Sequence, residues 1–520
     1  MIQRRAFFIQ CAASAVATAA TGRLAAQTLR HDPFLLGVAS GSPSVDGMVL
    51  WTRLMVSPVG EPLPAVPIEV RWELASDSQF KRIVKTGKEF ALPDFAHSVH
   101  VEISGVVSVT DSSKPVFYWY RFMVGDAISP VGRTRTLPRP ESRTPLKLAL
   151  ASCQNYEHGY FTSYRHMAQE DLDVVVFVGD YIYEYGMTPN RTRQHNSPTA
   201  LSLDDYRARY ALYKSDVDLQ AAHAAFPWIV TWDDHELEND YANDRSASDR
   251  GEHFMRKRAA AYRAYWEHMP LRKTQLPVGD QAQMYRRYAW GQTANLHMLD
   301  ARQYRDYQVC TPADQGGSRT ITDQNCPERL SRSSSLLGSQ QEAWLADGIV
   351  RSDASFNIVG QASIMAQMRM PANRAPETTT ADGFWNDSWD GYPLARRRTL
   401  EQWAQKKNVI SLGGDVHATY INHLVSNFDD PKSPILATEI VGTSISSPSW
   451  PQAATERIMG FNPHMQFGKS DLRGYTVLRV DGNLATVMPR VIDNARVRES
   501  TLSTAAQFVI ESARPGVQRV

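Results

Sequence analysis

Cysteine is scarce in this chain. The four in 520 residues, Cys11, Cys153, Cys310 and Cys326, are too few to staple a disulfide scaffold, so a packed core must hold the fold. Long apolar runs are missing too: the stretch from Phe7 to Ala20 falls short of the roughly 20 residues that a membrane-spanning helix needs. No long block of like charge interrupts the 56 basic and 55 acidic side chains, and the formal net charge is +1. That balance argues against a nucleic-acid binder, which concentrates Lys and Arg on one face to replace phosphate counterions. Neither an internal repeat nor a low-complexity tract is found. What remains, at 42% hydrophobic and 21% charged residues, has the composition of a soluble globular protein, and its length calls for two domains plus removable segments.

The first 26 residues read as an address. Gln3-Arg4-Arg5-Ala6-Phe7-Phe8 sets paired arginines before the apolar run, and Leu24-Ala25-Ala26 supplies small residues for cleavage. The arginine pair resembles a twin-arginine signal, with an ordinary Sec signal as the alternative. Either places the mature chain outside the cytoplasm, periplasmic or secreted, and the first makes the twin-arginine export machinery a partner. Cleavage removes Cys11. Cys310 and Cys326 flank a loop rich in Gly, Asp and Thr, where a disulfide is the economical reading in an oxidising compartment. Cys153 is left without a partner.

Two compositions follow. Over residues 34–136, short alternating runs such as Ile68-Glu69-Val70-Arg71-Trp72-Glu73-Leu74 and Val116-Phe117-Tyr118-Trp119-Tyr120-Arg121-Phe122 predict a small all-β, immunoglobulin- or fibronectin-like sandwich. The Pro-rich stretch 137–145 reads as a linker. From 146 to 505 continuous apolar strands at Leu146–Ser152, Val174–Val178, Ile229–Trp232, Leu296–Leu299, Ile358–Gly360, Val409–Leu412, Leu436–Val441 and Tyr475–Val480 alternate with helical candidates. The candidates include Tyr160–Glu170, Leu203–Tyr213, Glu252–Trp266 and Gln340–Ile349. Apolar strands without alternation are buried on both faces, which predicts an α/β catalytic domain. Residues 506–520 read as a C-terminal tail.

Polar residues gather where those strands end. Leu148–Ser152 runs into Cys153, and Val174–Val178 into Gly179-Asp180-Tyr181-Ile182-Tyr183. Ile229–Trp232 runs into Asp233-Asp234-His235-Glu236, and Val409–Leu412 into Gly413-Gly414-Asp415-Val416-His417. Open α/β sheets place their sites at the carboxyl ends of neighbouring strands. Adjacent acids there repel unless a cation or solvent separates them, and thiol, phenol, imidazole and carboxylates meeting at equivalent strand ends outline a metal cage.

These segments resemble the PhoD family of alkaline phosphatases and phosphodiesterases, and the core resembles the wider calcineurin-like and purple-acid-phosphatase metallophosphoesterases. The matching segments are Ala151-Ser152-Cys153, Gly179–Tyr183, Trp232–Tyr241, Leu299–Arg305, Trp389-Asp390-Gly391-Tyr392 and Gly414–His417. The resemblance implies a metallophosphoesterase sandwich of mixed sheets flanked by helices. It implies Fe3+ held with one or two Ca2+ ions: Cys153 and Tyr183 as anionic iron ligands, Asp180 as the bridge, and Asp234, Asn239, Asp415 and His417 completing the cage. The family pattern selects Asn239 over Asp233 or Asp240. The implied reaction is attack of metal-bound hydroxide on phosphorus, with His235 as candidate proton donor to the leaving group. Against the purple acid phosphatases, Asp415 stands where the first of two alternating histidines is expected, and Asp234 replaces an asparagine. Both changes move the second site towards Ca2+.

A phosphoesterase needs a guanidinium for its anionic substrate. Arg302 is the expected clamp, with Arg165 and Arg207 behind it, while a structural pairing of Arg302 with Asp300 is the alternative. Trp385, Trp389 and Tyr392 are read as a wall of the substrate entrance or as packing. The implied substrates are small phosphate esters and, beyond them, phosphodiester polymers or phospholipids. The rival readings are a phospholipase D-like diesterase acting on lipid or wall-polymer headgroups and, more remotely, a non-catalytic binding module with structural metals.

Overall fold

The computed structural model describes residues 31–56, 63–106, 117–312, 315–372 and 380–520. The expected leader, 1–26, lies outside the described residues.

The amino-terminal part is all β: β1 (Val38–Ser44), β2 (Gly47–Arg53), β3 (Ile68–Ala75), β4 (Ile83–Ala91), β5 (Ser98–Ile103), β6 (Phe117–Val124), β7 (Ala127–Ile128) and β8 (Gly132–Arg135). Next come β9 (Leu146–Ala151), α1 (Thr162–Met167), β10 (Val174–Val178), α2 (Leu203–Lys214), α3 (Val217–Ala225), β11 (Pro227–Thr231) and α4 (Gly251–His268). A second series holds β12 (Arg286–Trp290), β13 (Ala294–Met298), β14 (Thr320–Thr322), α5 (Ser339–Val350), β15 (Phe356–Gly360), β16 (Gly383–Trp385), α6 (Pro393–Trp403), β17 (Val409–Gly413), β18 (Thr419–Val425), β19 (Ile435–Val441), α7 (Gln452–Phe461) and β20 (Met465–Lys469). β21 (Arg473–Asp481), β22 (Leu484–Ile492), β23 (Leu502–Thr504), β24 (Phe508–Glu511) and β25 (Arg514–Arg519) close the chain.

Two mixed sheets stack face to face. One runs β25-β24-β22-β21-β9-β10-β11-β1-β2-β5, with β23 beside β22, and the other runs β12-β13-β15-β17-β19-β18-β20. The centres, β9-β10-β11 and β13-β15-β17-β19, are parallel. Apolar runs that show no alternation divide by position once folded. Leu148, Leu150, Val174, Val176 and Ile229 meet Leu296, Ile358, Ile410 and Leu412 of the other sheet. Their neighbours Ala149, Val175, Phe177 and Trp228 pack outward on aromatic residues of α2 and α4, such as Tyr210 and Tyr265. Leu345, Leu400 and Trp403 of α5 and α6 cover the second sheet's outer face. The result is helices, sheet, sheet, helices, and each buried aliphatic side chain contributes about 1.5–3 kcal/mol. Local chemistry agrees: α2 opens on a capping box between Ser202 and Asp205, and Asp216 caps α3.

Two boundaries are more continuous than the sequence suggests. The amino-terminal strands β3, β4, β6, β7 and β8 form a sheet of their own, but β1, β2 and β5 extend the large catalytic sheet, β1 lying parallel to β11. Gly41 makes that junction possible, because a Cβ there would sit 2.5 Å from the Trp228 carbonyl oxygen. Residues 506–520 are not a tail. They carry β24 and β25, paired at the sheet edge, with Phe508 and Ile510 in the core. A sheet edge accepts a short strand through its backbone groups, which Arg514-Pro515-Gly516 does not advertise. Among the described residues, no helix is long and apolar enough to cross a membrane.

Candidate metal centre

At the carboxyl ends of β9, β10 and β17 the backbone turns sharply, and the residues making the turns carry the polar side chains. Cys153 (φ 58°), Asp180 (60°), Asp415 (65°) and His417 (54°) all adopt the left-handed conformation, which costs an L-residue about 1–2 kcal/mol. Strain of this kind persists where surrounding structure enforces it, commonly at functional sites. Gly179, at φ 111°, lets β10 and β11 end side by side, since a Cβ on it would lie 2.5 Å from that of Asp233. Glu236 ties the same two ends together: its carboxylate accepts the backbone N–H groups of Asp180 (3.1 Å), Tyr181 (2.6 Å) and Asp233 (2.9 Å).

The side chains form two overlapping groups. Ligand atoms of Cys153, Asp180 and His417 lie within 4.8 Å of one another, as do those of Asp180, Asp234 and His235. Asp180 belongs to both. Tyr183 donates its hydroxyl to Asp180 Oδ2 at 2.8 Å and stands 3.1 Å from His417 Nε2. Ser447 Oγ, 2.8 Å from the Tyr183 hydroxyl, also bonds the Cys153 carbonyl oxygen. His417 Nδ1 is held by the Pro448 carbonyl oxygen at 2.8 Å, so its Nε2 lone pair is turned to the cluster.

Charge is crowded here. Burial pushes the carboxyls of Asp180 and Asp415 well above the usual range, and neighbouring acids push them further. Burial also raises Asp233 to about 6 and Asp240 to about 7. Asp234 is the exception: burial would raise it, but Arg302 and His235 outweigh burial and hold it low. Burial and Asp180 raise both the Cys153 thiol and the Tyr183 phenol, whereas burial lowers His417 to about 3 and keeps it neutral. His235 would be lowered by burial, yet Glu184, Asp234 and Asp180 together hold it well above its ordinary value.

The donor set fits bound cations. Asp180 Oδ1 is buried without a hydrogen-bond partner, directed at no proton donor while its other oxygen is satisfied. A cation beside it would stabilise the crowded carboxylates and the ionised thiol and phenol together. Cys153, Asp180 and His417, with Tyr183 beside them, could hold one such ion, and Asp180 and Asp234 belong to a second group with His235. Asp415 falls in neither group, though, after burial and Asp180, its charge also raises the Cys153 thiol. Asn239 sits at the second group's edge, its amide donating to Asp240 Oδ2 at 2.7 Å, and Asp240 N–H bonds Asp234 Oδ2 at 2.7 Å.

The expected substrate clamp is corrected. Arg302 is fully buried and committed to acids, with Nε 2.5 Å from Asp233 Oδ1, Nη1 2.8 Å from Asp387 Oδ2 and Nη2 3.7 Å from Asp234 Oδ1. It is a buried counter-charge to the acids of the cluster, with Nη2 making no hydrogen bond of its own. Asp300 accepts its backbone N–H, not its guanidinium. Arg165 and Arg207 are spent on Asp218 and Glu267. Trp389 and Tyr392 are packing residues, bonded to Gln361 Oε1 and the Asp306 carbonyl oxygen, while half-buried Trp385 faces a cavity beside Asp415 and His417. Sequence reasoning overlooked Glu184, which accepts from His235 Nδ1 at 2.8 Å and from Asn239 N–H at 2.9 Å, and Asp387, the shared acceptor of Arg302, Arg305 and Gln308. Glu184 follows the Asp-Tyr-Ile-Tyr motif directly, a detectable signal; Asp387 sits in an irregular loop without one. Cys310 and Cys326 are disulfide-bonded, and Cys153 is free and buried.

Comparison with known proteins agrees with this geometry. The PhoD-like phosphatase family pattern matches residues 148–488, and that of the PhoD-like phosphatase N-terminal domain matches residues 17–138. Alkaline phosphatase D of Bacillus subtilis (strain 168) is 43% identical over 511 residues, covering 95% of this chain and 84% of that protein. A solved structure of PhoD superposes with a TM-score of 0.87 at 41% identity, over 95% of this chain and 93% of that one. A purple acid phosphatase from yellow lupin (Lupinus luteus) seeds shares the fold at a TM-score of 0.53 and 11% identity, over 92% of this chain and 74% of that one. With motifs, both domains and the whole architecture in agreement, the chain belongs to the PhoD-like phosphatases and is a phosphoester hydrolase.

Proposed function

We propose that this phosphatase is an exported, metal-dependent alkaline phosphatase and phosphodiesterase. On this reading Cys153, Tyr183, Asp180 and His417 would hold Fe3+, and Asp234, Asn239 and Asp415 would hold Ca2+. The observation that carries it is Asp180, common to both ligand groups and keeping one buried oxygen unpartnered. Thiolate and phenolate suit high-valent iron, and carboxylate and amide oxygens suit the hard calcium ion. Bound there, the cations supply Lewis-acid polarisation of the phosphoryl oxygens and an activated water.

The chain's own residues do the rest. Glu184 fixes His235 through Nδ1 and favours its protonated form, so His235 is positioned to give a proton to the leaving alcohol, a role worth roughly 10²- to 10⁴-fold in rate. Arg302 opposes the effect of burial on Asp233 and, with His235, holds Asp234 low. The paired Arg4 and Arg5 before an apolar run support twin-arginine export to the periplasm or beyond.

The test is elemental analysis of the purified mature protein, paired with hydrolysis of a chromogenic phosphomonoester and phosphodiester before and after chelation. Iron with calcium and chelator-sensitive turnover are expected. Full activity in verified metal-free protein overturns the reading.

A further inference from the structure

Beside the cluster, on the side where Asp415 and His417 are only half covered, lies a cavity of about 500 Å³, within the ~300–1,000 Å³ range of small-molecule sites. One wall is Asp415-Val416-His417. The others are built by Met368 and Met370 from the segment after β15, Trp385 from the end of β16, and Trp450 and Ile458 from α7 and its approach. Trp450 has its indole N–H satisfied by Thr455 Oγ1 at 2.8 Å, so the ring adds apolar surface without an unmet donor. Arg457 is the one arginine or lysine among the lining residues, and His235 is not among them. A small polar alcohol would leave this apolar wall wet, whereas an apolar group would dry it.

Resting on the phosphoesterase reading above, we infer that the cavity is a subsite for an apolar organic substituent of a phosphodiester. One wall is Asp415 to His417 of the cluster and the rest is mostly apolar and aromatic, so a substituent that extends from a phosphate at the cluster into this space meets Met368, Trp385 and Trp450. The preferred substrates are therefore phosphodiesters with an aryl or alkyl substituent, ahead of monoesters and of diesters with small polar groups.

The experiment compares p-nitrophenyl phenyl phosphate with p-nitrophenyl methyl phosphate on the metal-loaded protein, with p-nitrophenyl phosphate alongside. The leaving group is constant, so differences report the retained substituent. A kcat/KM for the phenyl diester about 10- to 200-fold above the methyl diester is expected, the range of discrimination by apolar pockets. Trp450→Ala should erase most of that ratio, and Met370→Gln, at a half-exposed position with less risk to folding, should reduce it. Equal rates for the two diesters, or a ratio that both variants leave intact, overturn the subsite while the phosphoesterase reading stands. Absence of turnover on all three substrates overturns both.

Discussion

The wall of the site built at the ends of β9, β10 and β11 is polar and buried; the wall that Met368, Trp385 and α7 add on the far side of Asp415 and His417 is half open and largely apolar. Cys153, Asp180, Asp234 and His235 are each less than a tenth exposed, and their hydrogen bonds run to neighbours that are largely buried themselves, among them Ser152, Tyr183, Asp240, Glu184, Glu236 and Ser447. On the other side, Trp385 and Trp450 are half-buried around empty volume. The first arrangement leaves little freedom and suits the fixed geometry that cations require. The second tolerates change in shape and suits selection among substrates. One side of this protein decides whether chemistry occurs, and the other decides on what.

Substitutions can break that division. The largest effect is expected for Asp180→Asn on the polar wall: the residue common to both ligand groups loses its charge, and turnover of every ester should fall to the blank, with metal content by elemental analysis falling in parallel. Retained metal and activity would remove Asp180 from the centre. Arg302→Met comes next. It leaves Asp233 and Asp387 buried with a counter-charge missing, a change that costs about 3–5 kcal/mol where a buried pair is broken, so the unfolding midpoint in denaturant should drop sharply. A raised KM with unchanged stability would instead restore the substrate-clamp role. Glu184→Gln keeps the shape and removes the charge that orients His235; a loss of roughly 10- to 100-fold in kcat is expected, as for carboxylate partners of functional histidines. It should be greatest for poor leaving groups, which need the proton most. The variants of the apolar wall are the mildest, changing preference between two diesters more than total activity.

Much of the polar wall was legible because its information is local. An apolar strand followed at once by Asp180-Tyr181-Ile182-Tyr183 or Asp233-Asp234-His235-Glu236 declares both a strand and what stands at its end. The helical candidates Leu203–Tyr213 and Glu252–Trp266 correspond to helices at Leu203–Lys214 and Gly251–His268. Arg302 was misjudged for the opposite reason. Its neighbours Asp233 and Asp387 lie 69 residues before it and 85 after it in the sequence, and only the packing of β11, β13 and the loop after β16 brings them together. The same holds for the edge strands β24 and β25, whose place depends on a free sheet edge rather than on their own side chains.

Sequence alone determined the alternation of strands and helices, the all-β amino-terminal part, the chemical types gathered at the strand ends and, through them, the family. These follow from periodicity and from residues adjacent in the chain, which need no knowledge of what lies across the core. Tertiary structure decided that Asp180 stands between two ligand groups, that Arg302 is a buried counter-charge, that β1 joins the amino-terminal strands to the catalytic sheet, and that an apolar cavity opens beside His417. Each of these depends on distances between segments far apart in sequence, set by how two twisted sheets and their helices close-pack, and close packing is a property of the whole fold.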